Sequence, residues 1–185
     1  FVKESELDQA KTSILFSADF NGVRDELMFE LFYQTGIRLS ELIHLLDSDT
    51  QSGAIKVLGK RNKERIIPIN SLLYEKIEAY RSIRNATCGT TKYLFVISNG
   101  NQLYPNFVYR KIVAYLGTAT QLDKKSPHVL RHTFATHMLN RGAGLETLKD
   151  LLGHASLAAT QVYTHNSFAQ LNKVYLQAHP RGTNS

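Results

Sequence analysis

Two arginines, two histidines, a lysine and a tyrosine in this chain are residue types that can cleave a phosphodiester. Without a metal, that cleavage needs a nucleophile, cations for the phosphoryl oxygens and an acid for the leaving oxygen. The chain offers such residues in the order Arg38, Lys60, His128, Arg131, His154 and Tyr163. Each of them also has an ordinary structural explanation, so the spacing around each one has to be considered.

The two arginines are candidates for gripping a phosphate. Arg38 begins a predicted helix directly after Thr35-Gly36, where its planar guanidinium can face two phosphate oxygens. The alternative is a surface arginine paired with Glu41 at i, i+3. His128 and Arg131 share one helix face near a helix N-terminus, which also favours phosphate. Their alternative is a capping histidine beside a solvated arginine.

Lys60 lies in a basic turn between two β-rich runs. Its flexible stem can reach a leaving oxygen, and burial beside other cations would lower its pKa toward the working range. The same turn carries Arg61 and Lys63, and Arg65 follows it; with Lys56 these residues form a predicted DNA-binding set. The alternative is a solvated charge run without a ligand.

Tyr163 and His154 lie nine residues apart near the C-terminal end. Gly153 allows a sharp turn that can direct His154 into a cleft. A tyrosine hydroxyl, whose pKa is about 10, becomes a useful nucleophile only when cations stabilise its phenolate. The alternative for Tyr163 is a half-buried aromatic side chain on an amphipathic helix.

The elements that must position these residues are mostly helices. Gly36 and Gly153 are predicted helix stops, and Ser126-Pro127 is a typical helix start. Two β-rich runs predict a hairpin, with Pro68 indicating an edge strand. The fold is therefore expected to be mainly α with a small antiparallel β-hairpin. Helices are predicted over about 4–15, 24–34, 38–46, 71–84 (capped by Ser71), 105 onward, 126–140, 145–152 and 167–177, and strands over 54–58, 65–69 and 93–97.

The composition indicates an anionic partner. The 185 residues carry a formal charge of +6, for which nucleic acid is the commonest explanation and a merely basic surface the alternative. No apolar run reaches the roughly 18 residues that a membrane helix needs, so no membrane partner is expected. Cys88 is the single cysteine and cannot form an internal disulfide, which favours a reducing, cytoplasmic location.

Four segments together resemble the catalytic domain of tyrosine recombinases, and among these the Xer type most. They read TGIRLSEL from Thr35, LGKRNKERIIPI from Leu58, SPHVLRHTFATHML from Ser126 and LLGHASLAATQVYTH from Leu151. The resemblance spans about 20–180, preceded by a linker and first helix over 1–19 and followed by a tail over 181–185. It also implies that the family's N-terminal DNA-clamping domain is absent from this chain.

The resemblance implies a role for each candidate residue. Arg38 and Arg131 match the phosphate-clamping arginines, and Tyr163 matches the attacking tyrosine that forms a 3′-phosphotyrosyl bond. Lys60 matches the proposed general acid to the 5′-oxygen. The remaining matches are His128 for proton transfer at the nucleophile, His154 for a hydrogen bond to the phosphate, and Glu41 for orienting the site.

The same resemblance implies site-specific recombination of double-stranded DNA without ATP, metal or other cofactor. Family members act as tetramers on two duplexes, and the helix over 167–177 is the candidate segment for docking into a neighbour. Its alternative is packing within its own chain. Arg61 departs from the family, in which glycine is common after the hairpin lysine, and this leaves the reach of Lys60 less assured.

Three rival functions stay open on the sequence. His128 and His132 at i, i+4, with His137 nearby, have a spacing that zinc can use, although no acidic base accompanies them. A DNA-binding module without catalysis is the second rival. A strand-relaxing enzyme of the type IB topoisomerase class, which shares the chemistry, is the third.

Overall fold

The computed structural model describes residues 1–13, 16–59, 63–120, 124–153 and 165–182. Within these ranges the chain is mainly helical with one small antiparallel sheet, which confirms the predicted fold class. None of the described helices combines the length and apolar character needed to cross a membrane. The elements are α1 (Glu4–Ser13), α2 (Phe20–Thr35), α3 (Leu39–Ile43), β1 (Thr50–Gln51), β2 (Ala54–Leu58), β3 (Glu64–Pro68), α4 (Ser71–Cys88), α5 (Pro105–Ala119), α6 (Pro127–Asn140), α7 (Leu145–Leu152) and α8 (His165–Ala178).

Helix α2 runs through the centre of the molecule and is buried along most of its length. Asp19 caps it by accepting a hydrogen bond from the Gly22 N–H at 2.9 Å, so the helix starts four residues before the predicted position. Gly36 ends it in the left-handed conformation, with φ of 61°, as predicted. This cap places Arg38 three residues beyond the end of the central helix.

The sheet has the strand order β1-β2-β3. Strands β2 and β3 form the predicted hairpin, in which Val57 pairs with Arg65 and Ala54 with Pro68. Pro68 lies on an edge strand, as predicted, because β3 pairs only with β2 within the described sheet. The two-residue strand β1 was not predicted, since so short a strand has no periodicity to detect.

Helix α4 is capped by Asn70, not by the predicted Ser71, and ends at Cys88 rather than at 84. Two further predicted elements differ from the structure because of β pairing. The helix predicted over 38–46 (α3) ends at Ile43, because Leu46 forms an isolated bridge with Tyr93 instead. That bridge, and another between Val96 and Gln102, are the only β pairings described for the predicted strand over 93–97. Both differences result from β pairing between residues distant in the chain, which local sequence propensity does not predict.

Helices α6, α7 and α8 enclose an apolar cluster that is separate from the main core around α2. It is built around Phe134, Leu151, Leu171 and Tyr175. Helix α8 lies against its own chain here, with Leu171 and Tyr175 buried. It begins at His165, before the predicted Ser167 cap. The described structure therefore corresponds to the alternative in which this helix packs within its own chain.

Candidate active site

Arg38 lies at the start of α3, immediately after the turn that ends α2. Its guanidinium donates one hydrogen bond to Glu41 Oε1 at 2.7 Å and another to the Gly153 carbonyl at 3.0 Å. Glu41 reaches back to the Arg38 backbone N–H at 2.8 Å, which closes the first turn of the helix. The sequence-based pairing of Arg38 with Glu41 is present, and Arg38 also extends toward the end of α7.

Arg131 approaches the same place from the first part of α6. Its guanidinium donates to the Gly36 carbonyl and to the Leu152 carbonyl, the latter at 2.8 Å. Arg38 and Arg131 therefore bind the carbonyls of two consecutive residues, 152 and 153, although they are far apart in the chain. The structure brings together the two arginines that the sequence had offered as a phosphate clamp.

The charge around Arg131 is strongly positive. Burial and the nearby charges of Arg38 and Arg65 together lower the pKa of Arg131 to about 10, although the charge of Glu41 acts in the opposite direction. A guanidinium with an ordinary pKa above 12 is rarely perturbed in this way. The cost of holding these cations together would be relieved by an anion, so the geometry suits a phosphate group.

Glu41 is the carboxylate that joins these cations. Burial alone would raise its pKa, but hydrogen bonds and charge from Arg65, together with hydrogen bonds from Arg38, hold the pKa below its ordinary value. Both of its oxygens are bound by Arg65, at 2.5 and 2.9 Å. Glu41 is therefore ionised and orients two arginines at once.

Arg65 corrects one prediction from the sequence. It had been placed in the DNA-binding set, yet it is only 4% exposed and is fully engaged with Glu41 and the Leu151 carbonyl. Side chains alternate between the two faces of β3, and Arg65 lies on the same face as the buried Ile67. This alternation is the feature of the sequence that could have indicated the burial of Arg65. A charged residue in the buried register of a strand indicates an internal ion pair.

The other described members of the DNA-binding set lie at the surface. Lys63 is exposed at the end of the hairpin. Lys56 is 45% exposed, with Asp49 at 3.3 Å and Glu64 at 3.5 Å. A hydrogen bond and the charge of Asp49, followed by the charge of Glu64, raise the pKa of Lys56. Lys63 is thus more available to an external phosphate than Lys56.

His128 lies exposed in the first turn of α6, one turn before Arg131. Of the histidines considered for a zinc site, His128 and His132 are exposed, whereas His137 is buried and lies 3.2 Å from the Tyr33 hydroxyl. Within the described residues, no group of three or more His, Cys, Asp or Glu side chains is arranged to hold a metal ion.

Lys60, Arg61, His154 and Tyr163 lie outside the described residues. Their assignments therefore stay predictions from the sequence and its resemblance. What the structure describes is the set of side chains around the neighbouring glycines, Gly59 before Lys60 and Gly153 before His154.

Residues 5–170 match the phage integrase family. The chain is 42% identical to the tyrosine recombinase XerC of Chlorobaculum parvum over 170 residues, which cover 87% of this chain and 51% of that protein. It is 47% identical to XerC of Staphylococcus carnosus over 166 residues, which cover 86% of this chain and 55% of that protein. The chain thus spans about half the length of the curated relatives it matches.

Solved structures agree with the fold. A crystal structure of XerA recombinase superposes with a TM-score of 0.72 at 30% identity, covering 98% of this chain and 65% of that one. A pre-cleavage complex of XerH recombinase with its difH substrate superposes with a TM-score of 0.74 at 25% identity, covering 94% of this chain and 52% of that one. Both are recombinases of the Xer type.

Proposed function

Because the chain belongs to the phage integrase family, we propose that it breaks and rejoins DNA at specific sites through a 3′-phosphotyrosyl intermediate. The observation that carries the proposal is the meeting of Arg38 and Arg131 on the consecutive carbonyls of residues 152 and 153. Two guanidiniums at one place, with an uncompensated positive charge, suit the phosphoryl oxygens of a scissile phosphodiester. The XerC relatives and the XerH–difH complex support the same chemistry.

The proposed reaction is a phosphoryl transfer that uses the chain's own side chains. The Tyr163 hydroxyl oxygen attacks phosphorus and loses its proton, with His128 as the proposed acceptor. The bond from phosphorus to the 5′-oxygen breaks, and Lys60 supplies the proton that this oxygen needs. Arg38, Arg131 and His154 stabilise the charge on the other phosphoryl oxygens.

Rejoining reverses these steps with a 5′-hydroxyl from a partner duplex. That oxygen attacks the phosphotyrosine, a new phosphodiester forms, and the Tyr163 oxygen takes back a proton. One ester bond replaces another of similar energy, so the exchange needs no external energy source. Positioning of the groups therefore supplies most of the rate enhancement.

The finer parts of the proposal concern partners and place. We propose double-stranded DNA as the substrate and a homo- or hetero-tetramer on two duplexes as the working assembly. For the helix over 167–177 to dock on a neighbour, α8 would have to leave its site against α6 and α7. Dimer resolution and movement of a mobile element are both compatible with these residues. A cytoplasmic location stays a prediction from the sequence.

Trapping of the covalent intermediate tests the proposal. Duplexes recovered by in vitro selection from randomised DNA are nicked at successive positions, so that the short 5′-hydroxyl strand diffuses away after cleavage. The unaltered chain is expected to form a denaturant-resistant protein–DNA adduct. Tyr163→Phe is expected to form none while binding the same duplex, because it lacks the attacking oxygen but retains the ring.

Each alternative predicts a different outcome, and the topoisomerase-like function also requires an assay with a supercoiled circle. An adduct of equal yield from Tyr163→Phe would remove Tyr163 as the nucleophile. Binding without any adduct from the unaltered chain would favour the non-catalytic DNA-binding module. Adducts accompanied by relaxation of one supercoiled circle, without exchange between two duplexes, would favour the topoisomerase-like function.

A further inference from the structure

Arg65 lies at the junction of three segments that surround the candidate active site. Its Nη1 and Nη2 atoms donate to Glu41 Oε1 and Oε2 at 2.5 and 2.9 Å, a two-pronged contact with α3. Its Nε atom donates to the Leu151 carbonyl at 2.9 Å, at the end of α7. Since Arg65 itself belongs to β3, one buried side chain ties together a strand and two helices.

Both phosphate-gripping arginines are connected to this side chain by a single intermediate. Glu41 binds Arg65 and Arg38 through the same oxygen, Oε1. The Leu151 carbonyl that Arg65 binds is followed along the chain by the Leu152 carbonyl that Arg131 binds. A shift of the Arg65 guanidinium would therefore reach Arg38 through Glu41 and Arg131 through the end of α7.

Gly153 leaves the room that Arg65 occupies, and Gly59 lies within ordinary van der Waals distance of the Arg65–Glu41 pair. A Cβ atom on Gly153 would lie 3.0 Å from Arg65 Cδ and 3.1 Å from its Nη1, and the φ of 61° at Gly153 also disfavours other residues. A Cβ on Gly59 would lie 3.5 Å from Glu41 Oε1 and 3.7 Å from Arg65 Nη1. These glycines directly precede His154 and Lys60 in the chain.

We propose that Arg65 is a positioning residue for strand cleavage, which sets the Arg38 and Arg131 guanidiniums in register with each other without touching DNA. This inference rests on the proposed function, because it assigns a role within that same reaction. Arg65 is buried, and it is linked to Arg38 through Glu41 and to Arg131 through the end of α7.

Arginine is the residue that this junction requires. Its planar guanidinium presents Nε and two Nη donors in a rigid fork, so one group serves a carboxylate and a carbonyl in different directions. A lysine ammonium keeps the charge but is a single point that cannot hold both partners in that geometry. An Arg65→Lys variant therefore removes the positioning while retaining the charge.

The first test compares Arg65→Lys with Arg84→Lys. Arg84 is a matched control, because it is also a buried arginine, only 1% exposed. It binds the Asp47 carboxylate and the backbone carbonyls of Tyr93 and Leu94. The measurements are the single-turnover rate constant of adduct formation at saturating nicked duplex, the Kd for that duplex, and the free energy of unfolding in urea.

Arg65→Lys is expected to lower the rate constant by about 10²-fold, the effect of misplacing reacting groups by roughly 1 Å. Its Kd for the duplex is expected to stay within about threefold, because a buried side chain releases no counterions from DNA. Arg84→Lys is expected to lose stability to a similar extent while its rate constant stays within about threefold of the unaltered chain. A large loss of rate in Arg65→Lys alone, at a similar loss of stability in both variants, would identify Arg65 as a positioning residue.

A second pair of variants tests the same role without altering Arg65, and so does not depend on the folding of Arg65→Lys. Gly153→Ala pushes a methyl group against the Arg65 guanidinium, whereas Gly142→Ala adds one at a similar φ of 85° where no atom lies within 4 Å. Both variants incur the backbone strain. Only Gly153→Ala is expected to slow adduct formation beyond what its stability loss explains.

Two results would overturn the inference while leaving the proposed function in place. One is a folded Arg65→Lys chain that forms adduct at the unaltered rate. The other is a loss of DNA affinity with an unchanged rate at saturation, which would make Arg65 a DNA contact after all. Absence of adduct from the unaltered chain would overturn the proposed function itself, and this inference with it.

Discussion

Arg131 is the arginine of the candidate site whose pKa is clearly lowered. Its pKa falls to about 10 because it is buried and has Arg38 and Arg65 as neighbours. It remains charged at neutral pH, and its partners in the structure are the backbone carbonyls of Gly36 and Leu152. Carbonyls carry only partial charge, so a phosphate oxygen would be a stronger partner for this guanidinium.

Removal of either arginine of the clamp is expected to slow cleavage far more than it weakens binding. Arg38→Ala and Arg131→Ala should each lower the single-turnover rate constant of adduct formation by about 10²–10³-fold, as for loss of one oxyanion donor. Arg110→Ala, on the exposed surface of α5, removes the same charge and serves as the control. Cleavage at the unaltered rate by either clamp variant would contradict the proposed clamp.

At the scale of elements, the end of α8 is held by a histidine that must be neutral. His179 is 2% exposed; its Nδ1 accepts the Arg181 backbone N–H at 3.0 Å, and its Nε2 therefore donates to the Tyr33 carbonyl at 3.3 Å. Burial lowers the pKa of His179 to about 3, although the Tyr33 carbonyl acts in the opposite direction. A proton on Nδ1 would remove the acceptor that caps this helix end.

The pKa of His179 predicts a loss of stability in mild acid. A histidine in the unfolded chain has a pKa of about 6.5. Between that pH and about pH 3, the unfolded chain therefore binds a proton that the folded chain does not bind. The contribution is complete above about pH 6.5 and declines toward pH 3, with a slope approaching about 1.4 kcal/mol per pH unit. The free energy of unfolding, measured in urea between pH 6 and 5, should show this slope in the unaltered chain.

His179→Gln is the matched variant for that measurement, because it keeps a polar side chain but does not titrate. Its stability at pH 7 is expected to be lower, and its slope between pH 6 and 5 flatter by about 1 kcal/mol per pH unit. Burial also lowers the pKa of His137, which contributes to the slope in both proteins and cancels in the difference. Equal slopes would show that His179 is not the titrating group.

At the scale of the whole molecule, the net charge of +6 and pI of about 9.4 favour binding to the DNA backbone. Binding that releases counterions weakens steeply with salt, so the logarithm of the association constant should fall linearly with the logarithm of the salt concentration. A flat profile would contradict backbone binding by this surface.

Two lysines of the hairpin allow the salt dependence to be resolved by residue. Lys63→Gln is expected to reduce the slope of that plot by about one, as for one lost phosphate contact. Lys56→Gln should reduce it by less, because Asp49 and Glu64 already lie within 3.5 Å of its ammonium. Fluorescence anisotropy with a labelled duplex at several salt concentrations measures both slopes, and a larger effect at Lys56 would reverse the assignment.

The fold class and most helix ends of this protein were predictable from the sequence, because they depend on local chemistry. Gly36 and Gly153 end helices in the left-handed conformation, and Pro127 begins one, as their residue types predicted. The hairpin of β2 and β3 also followed from short apolar runs around a polar turn. Boundaries were less accurate where a cap such as Asp19 or a bridge such as that of Leu46 intervened.

The contacts of Arg38, Arg65 and Arg131 with three consecutive carbonyls, those of residues 151–153, were not predictable from the sequence. The partners of each contact are between 21 and 115 positions apart in the chain, and packing of α3, β3 and α6 around the end of α7 brings them together. Burial then gave Arg65 an internal role that its place in a basic run had concealed. Residue type suggested a phosphate-binding site, whereas long-range packing determines which arginines lie together there.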